Sequence, residues 1–225
     1  DALKVHDFHL VGGAVRDKLL GRPQSDFDVV TLTPLQQVKE HLELNNIPHH
    51  QTNVGGKSLT YQHRDNFVDV ASTEGKSIID DLARRDFTIN SMAEGPDSKL
   101  IDPFGGQQDL KNKVLRSPNN DSHRVFGEDP VRMLRAARFV GDLDLTPDSS
   151  IIDAIGTHGP KLAEMPTERV GKEFSKLMTS ANPTKGLEFL REHGLLQHIS
   201  PDLHATVGFE QNTPHHRLDV WGHTL

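Results

Sequence analysis

The run Val11, Gly12, Gly13, Ala14, Val15, Arg16, Asp17 constrains this chain more than any other stretch, because it carries an apolar strand through two glycines into a short helix that stops at Gly21. Glycines let the backbone turn tightly and let another group approach it closely. Backbone N–H groups exposed at such a helix start attract an anion, and Arg16, one turn in, can pair phosphate oxygens with its planar fork. A Gly-Gly turn alone also occurs without any ligand, so its neighbours decide.

Those neighbours are Ser25, Asp26, Phe27, Asp28, Val29, Val30. In a strand, side chains alternate faces, so Asp26 and Asp28 share one face while Phe27 and Val29 turn to the core. Two like charges side by side ask for a cation between them, and Mg²⁺ takes carboxylate oxygens together with substrate phosphates. Asp69, in the apolar strand 67–71, is a third carboxylate that could complete a two-metal site. There one ion activates an attacking hydroxyl, the other neutralises a leaving pyrophosphate, and no side-chain nucleophile is needed. The catalytic candidates are Asp26, Asp28 and Asp69, with Asp26 and Asp28 as metal ligands. A solvated strand edge is the plain alternative for an isolated Asp-x-Asp pair, and Asp69 alone is evenly balanced between the two readings.

Around this core the first half reads as strands at 8–11, 26–31 and 67–71 mixed with helices, one of them running to about Leu44 with Thr33 as N-cap, Pro34 first and Gln36 reaching back. The polar run 117–122 reads as a linker. Beyond it helical patterns take over at 130–140, 167–178 and 184–193, the last stopped by Gly194. The expectation is an α+β chain: a head with a mixed β-sheet and helices over 1–116, then an all-helical neck and start of a body over 117–225. Among 225 residues there is no cysteine, which excludes disulfides and thiolate zinc sites. A formal charge of −7 argues against a broad electrostatic grip on nucleic acid, so any RNA contact must be local. With one Trp and one Tyr, base stacking is limited. No stretch is apolar enough to span a membrane and no signal pattern opens the chain, so a cytoplasmic protein is expected. A first residue other than Met and an end at His223, Thr224, Leu225 suggest a fragment.

In order along the chain stand Gly12 to Asp17, Asp26 with Asp28, Arg84-Arg85-Asp86-Phe87-Thr88-Ile89-Asn90, Ile101-Asp102-Pro103-Phe104-Gly105, and Gly127-Glu128-Asp129-Pro130-Val131-Arg132 continuing to Phe139. These five motifs closely resemble the bacterial class II tRNA nucleotidyltransferase and poly(A) polymerase family. The resemblance implies transfer of CMP, and AMP as well, from CTP and ATP to the 3′ end of tRNA, with Mg²⁺ as cofactor. It implies that Gly13, Arg16, Arg85, Arg135 and Arg138 contact the incoming nucleotide. By the same similarity Glu128, Asp129 and Arg132 form an amino-acid template that reads its base, and Glu168, Arg169 and Glu173 scaffold that template. An acceptor-only Asp and a donor-only Arg can indeed present complementary hydrogen bonds to a base edge. Asp129 before Pro130 is also an ordinary helix N-cap. At about 100° per residue Arg132, Arg135 and Arg138 fall on one helix face, a pattern that a solvated basic face shares.

Two departures bear on the reading. Only Thr73 to Ser77 separate the strand near Ser72 from the next motif, where enzymes adding the full C-C-A usually carry a longer loop. CC-addition is therefore a close alternative. Gly55, Gly56, Lys57 and Ser58 stand where the poly(A) polymerase branch usually has an arginine-rich stretch, so that branch is disfavoured. His216, Asp219 and His223 have a spacing that would suit an HD-type metal helix, although a connection into a following domain is preferred. Outside the family, the rivals are a nucleotidyltransferase acting on a small molecule and an inactive RNA-binding fragment.

Overall fold

The computed structural model describes residues 7–24, 27–51, 58–63, 66–210 and 218–225. It divides into two compact units, Asp1–Asn112 with Ser117–Asn119, and Lys113–Arg116 with Asn120–Leu225. The first contains β1 (His9–Val11), α1 (Gly13–Leu19), β2 (Phe27–Thr31), α2 (Leu35–Leu44), β3 (His49–Gln51), β4 (Ser58–His63), β5 (Asn66–Ser72), α3 (Ile78–Ala83), β6 (Ala93–Glu94), β7 (Leu100–Ile101) and α4 (Gly106–Asn112). The strands form one mixed sheet in the order β3-β4-β5-β2-β1-β6-β7, in which β2 and β5 run parallel.

Each face of the sheet buries its own apolar set. Phe8, Val29, Leu59, Tyr61, Val68 and Val70 line one face, where Val38 and Leu42 of α2 cover them. On the other face Val11, Val30 and Ala93 pack with Leu82 of α3. Period-2 alternation in β2 and β5 feeds both layers and leaves Asp28 and Asp69 exposed on the face of Val30.

Several expectations are corrected. His49 and His50, which follow Pro48 and carry no strand signal of their own, lie in β3, paired with Tyr61 and Thr60 of β4. Sheet pairing supplies what their local sequence does not. Pro34, not Thr33, holds the N-cap position of α2, and Gln36 reaches forward to Glu40 (3.0 Å). Pro34 keeps a helix-compatible φ of −53° but has ψ 130°, outside the helix, and its carbonyl accepts the first helical bonds from Gln37 and Val38.

The second unit contains β8 (Val114–Leu115), α5 (Ser122–Glu128), α6 (Arg132–Leu143), β9 (Thr146–Pro147), α7 (Ser149–His158), α8 (Thr167–Met178), α9 (Pro183–Glu192), α10 (Leu196–Ile199), α11 (Pro201–His204) and α12 (Val220–Thr224). Its helices pack in pairs, α5 on α7 and α6 on both α8 and α9. The approach of α6 to α9 needs small residues. A Cβ on Gly141 would come within 2.5 Å of the Asn182 carbonyl, and one on Gly186 within 2.8 Å of that of Ala137.

The unit is not wholly helical, because β8 and β9 form a parallel pair. Lys113 and Asp144, both at positive φ just before these strands, pin it with a 2.6 Å ion pair. The helix expected from residue 130 begins at Arg132 and runs on to Leu143, where Asp144 closes it in the left-handed conformation. The run 117–122, expected to be a linker, forms a 3₁₀ turn (Pro118–Asn120), and Asp121 caps α5 through the Arg124 N–H (3.1 Å).

Candidate active site

Parallel pairing of β2 with β5 sets Asp28 directly beside Asp69. Neighbouring strands lie about 4.8 Å apart, so both carboxylates emerge side by side on one face. Asp69 accepts a hydrogen bond from Thr60 Oγ1 on β4, its partner on the other side. Asp28, Ser58, Asp69, Ala71 and Arg85 line a pocket of about 340 Å³. Asp26 lies outside the described residues, as do Gly55, Gly56 and Lys57.

Arg85 reaches this pocket because it follows α3, which packs on the Val11 and Val30 end of the same face. Buried Asp81, one helical turn earlier, fixes its guanidinium through Nε (3.1 Å) and Nη2 (3.0 Å). The remaining nitrogen, Nη1, faces the glycine turn. Gly12 has φ 67° and ψ −131°, and a Cβ there would lie 2.9 Å from Arg85 Nη1. Only glycine combines that backbone with that approach.

Arg16 is not an extended arm. It is buried, donating to Asn90 Oδ1 (2.7 Å) and to both Asp17 carboxylate oxygens (2.9 and 3.0 Å). Asn90 in turn donates to Asp86 Oδ1 (3.0 Å). The Arg-Arg-Asp-Phe-Thr-Ile-Asn motif thus has two tasks: Arg85 faces the pocket, while Asp86 and Asn90 hold Arg16 against the turn, 3.5 Å from where a Gly13 Cβ would stand. Asp102, from the following motif, caps α4 through the N–H groups of Gly106 and Gln107 (2.7 and 2.9 Å).

In the second unit Asp129 sits between α5 and α6. Its Oδ1 accepts from the Val131 N–H (3.2 Å), as a capping residue does, and Oδ2 accepts from Arg169 on α8 (2.7 Å). Arg132 donates to the Val125 carbonyl (3.2 Å) and to Glu128 (3.3 Å), which also pairs with Arg124 (3.1 Å). Arg135 and Arg138 both address Glu173 of α8, at 3.6 and 3.2 Å. Sequence reasoning named Asp129, Arg132, Arg135, Arg138, Arg169 and Glu173 but not Arg124, and not the pairings with α8, which join positions 35 to 40 residues apart.

In the histidine segment Asp219 serves as a helix cap. His216 is outside the described residues, and Asp219 caps α12, its two oxygens taking the N–H groups of Gly222 (2.7 Å) and Gly208 (2.6 Å). Those bonds, that of Gly222 first, hold its carboxyl below the usual range. Among the described residues no group of three or more His, Asp or Glu is placed to hold a metal. The pair Asp28 and Asp69 offers hard oxygen donors on adjacent strands, which fits a divalent ion of the magnesium type.

A glycine turn, carboxylates on adjacent strands beside it and an arginine over the turn define the head of a nucleotidyltransferase. The sequence matches the family described as poly(A) polymerase head domain over residues 8–116, and the probable RNA and SrmB-binding site of polymerase A over residues 144–206. It is 40% identical over 200 residues to the CC-adding tRNA nucleotidyltransferase of Halalkalibacterium halodurans, covering 88% of this chain and 52% of that one. To the multifunctional CCA protein of Nitrosococcus oceani it is 36% identical over 244 residues, covering 97% and 56%. The Bacillus stearothermophilus CCA-adding enzyme in complex with CTP superimposes with a TM-score of 0.81 at 31% identity, over 91% of this chain and 53% of that one. This chain belongs to the tRNA nucleotidyltransferase and poly(A) polymerase family, whose members depend on a divalent metal. It spans about half the length of the curated relatives it matches. Among the described residues no helix is long and apolar enough to cross a membrane.

Proposed function

We propose that the protein transfers CMP, and AMP after it, from CTP and ATP to the 3′ hydroxyl of tRNA with release of pyrophosphate, completing or repairing the CCA end in the cytoplasm. The observation that carries this reading is the pocket in which Asp28 and Asp69 stand in register beside Arg85 and the Gly12 turn. Mg²⁺ is the ion proposed, held by Asp28 and Asp69 with Asp26 as further ligand; when bound it supplies charge neutralisation at the reacting phosphate. Arg85 and the glycine-turn backbone, Gly13 included, bind the triphosphate, and Arg16 keeps that turn in shape. Asp129 and Arg132 read the base, one accepting and one donating. Glu128 pairs with Arg132 and Arg169 with Asp129, and Arg135 and Arg138, both paired with Glu173, are further nucleotide-binding candidates.

A second reading, addition of the two cytidines only, is favoured by the connection from β5 to α3. It is short and tied down: Asp81 accepts from the Glu74 N–H (3.1 Å), Asp80 from that of Lys76 (2.9 Å), and Arg84 pairs with Glu74 (2.9 Å). The test offers the protein Mg²⁺ and each labelled nucleoside triphosphate with tRNA lacking its terminal bases. Incorporation of C then A supports the first reading, C alone the second, A alone a poly(A) polymerase. No incorporation removes tRNA as acceptor and leaves the small-molecule enzyme or the inactive fragment. Asp28→Ala abolishes incorporation with an unchanged circular dichroism spectrum; retained turnover removes the metal assignment.

A further inference from the structure

Phe67 is 60% exposed, and among the described residues of the first unit it is the one exposed Phe, Tyr or Trp. Its neighbour Val68 is buried in the apolar layer of the opposite face. Alternation along β5 therefore puts Phe67 on the face of Asp69, about 7 Å along the strand from it. Gln62 of β4, also exposed, pairs with it across the sheet. Among the described residues this aromatic ring, in the row of the catalytic carboxylates, packs in neither apolar layer of the sheet.

Its position defines what it meets. The sheet order β5-β2-β1 puts Asp28 between Asp69 and the strand that ends in the glycine turn. In nucleotidyl transfer the attacking and leaving oxygens stand in line on opposite sides of the phosphorus. A triphosphate tail at Gly12 and Arg85 therefore leaves the β5 side for the incoming hydroxyl. That hydroxyl belongs to an unpaired RNA end, and unpaired bases bind proteins largely by stacking on aromatic rings.

We infer that Phe67 is the platform on which the 3′-terminal base of the acceptor RNA stacks, a positioning role resting on the transferase reading above. Loss of one base–aromatic stack weakens binding roughly tenfold or more. The experiment uses tRNA without its CCA end, carrying 2-aminopurine as its last nucleotide, with wild type, Phe67→Ala and Phe67→Trp. Phe67→Ala is expected to raise KM for the tRNA about tenfold, leave KM for CTP within twofold, abolish the fluorescence quenching seen on binding, and melt at the wild-type temperature. Phe67→Trp restores affinity and quenching. An unchanged tRNA KM in Phe67→Ala, an equal rise in both KM values, or no rescue by Trp overturns the inference while transfer itself stands. A wild type that incorporates nothing overturns both.

Discussion

Replacing Glu173 tests how the second unit holds its arginines. The carboxylate side chain is 10% exposed and faces three cations: Arg138 at 3.2 Å, Arg135 at 3.6 Å and Lys176 at 3.5 Å. Their worth differs with solvent access. Arg138 is 15% exposed and hydrogen-bonded, Arg135 is 33% exposed, and Lys176 is 50% exposed. A hydrogen bond between charged, nearly buried partners contributes about 1.5–3 kcal/mol, whereas an exposed pair contributes at most about 1. Glu173→Gln keeps the shape and loses the charge, so it should cost about 2 kcal/mol, nearly all of it through Arg138. For a unit of this size that lowers Tm by roughly 5–10 °C. The single tryptophan, Trp221, is buried in the same unit and donates to Glu188 (2.8 Å), so its fluorescence follows unfolding of that unit in urea. A cycle of Glu173→Gln, Arg138→Met and the double variant should give a coupling of about 1.5–3 kcal/mol, and Lys176→Met should be nearly silent. A coupling under about 0.5 kcal/mol, within the error of additivity, would refute the reasoning.

Three further outcomes are expected. Gly12→Ala should cost at least about 1–2 kcal/mol of head stability and raise KM for CTP by displacing Arg85 Nη1. Gly21→Ala, at φ 66° in open space, should cost stability alone, and equal CTP kinetics in the two variants would detach Arg85 from the turn. Lys113 first, then Lys185 hold the Asp144 carboxyl down at about 2, below its ordinary 3.8. This depressed folded-state value means a contribution present above about pH 4 and lost as pH falls toward 2, so Asp144→Asn should flatten the drop in Tm over that window. Asp129→Ala should blur the choice between CTP and ATP more than it slows transfer, and unchanged selectivity in competition assays would remove Asp129 from base reading.

The strands that carry alternation and the helices that carry periodicity were legible in the sequence. The expectation of a helix over 167–178 coincides with α8, and 67–71 falls inside β5, because each segment's apolar residues repeat with one period. β3 and β4 were missed, since His49, His50 and the polar run around Tyr61 become strand only through pairing with β5 and each other. The two-residue pair of β8 and β9 has too little sequence to signal anything and depends on Lys113 meeting Asp144. At the site, alternation predicted which way Asp28 would face. That Asp69 stands next to it followed from strand order, and the close approach of Arg85 to Gly12, which leaves no room for a Cβ, from the placement of α3, neither of which one-dimensional spacing reveals.

The parallel register of β2 and β5 ties catalysis to chain length in a small region. One residue inserted between Asn66 and Asp69 would turn the Asp69 carboxylate inward against the layer of Val29 and Leu59, and send a valine out in its place. Indels there should be lethal to activity even where the sheet survives, whereas the surface of α2, which touches neither carboxylate, can drift. In a laboratory library of length variants, these few positions should form a sharp gap in the surviving clones.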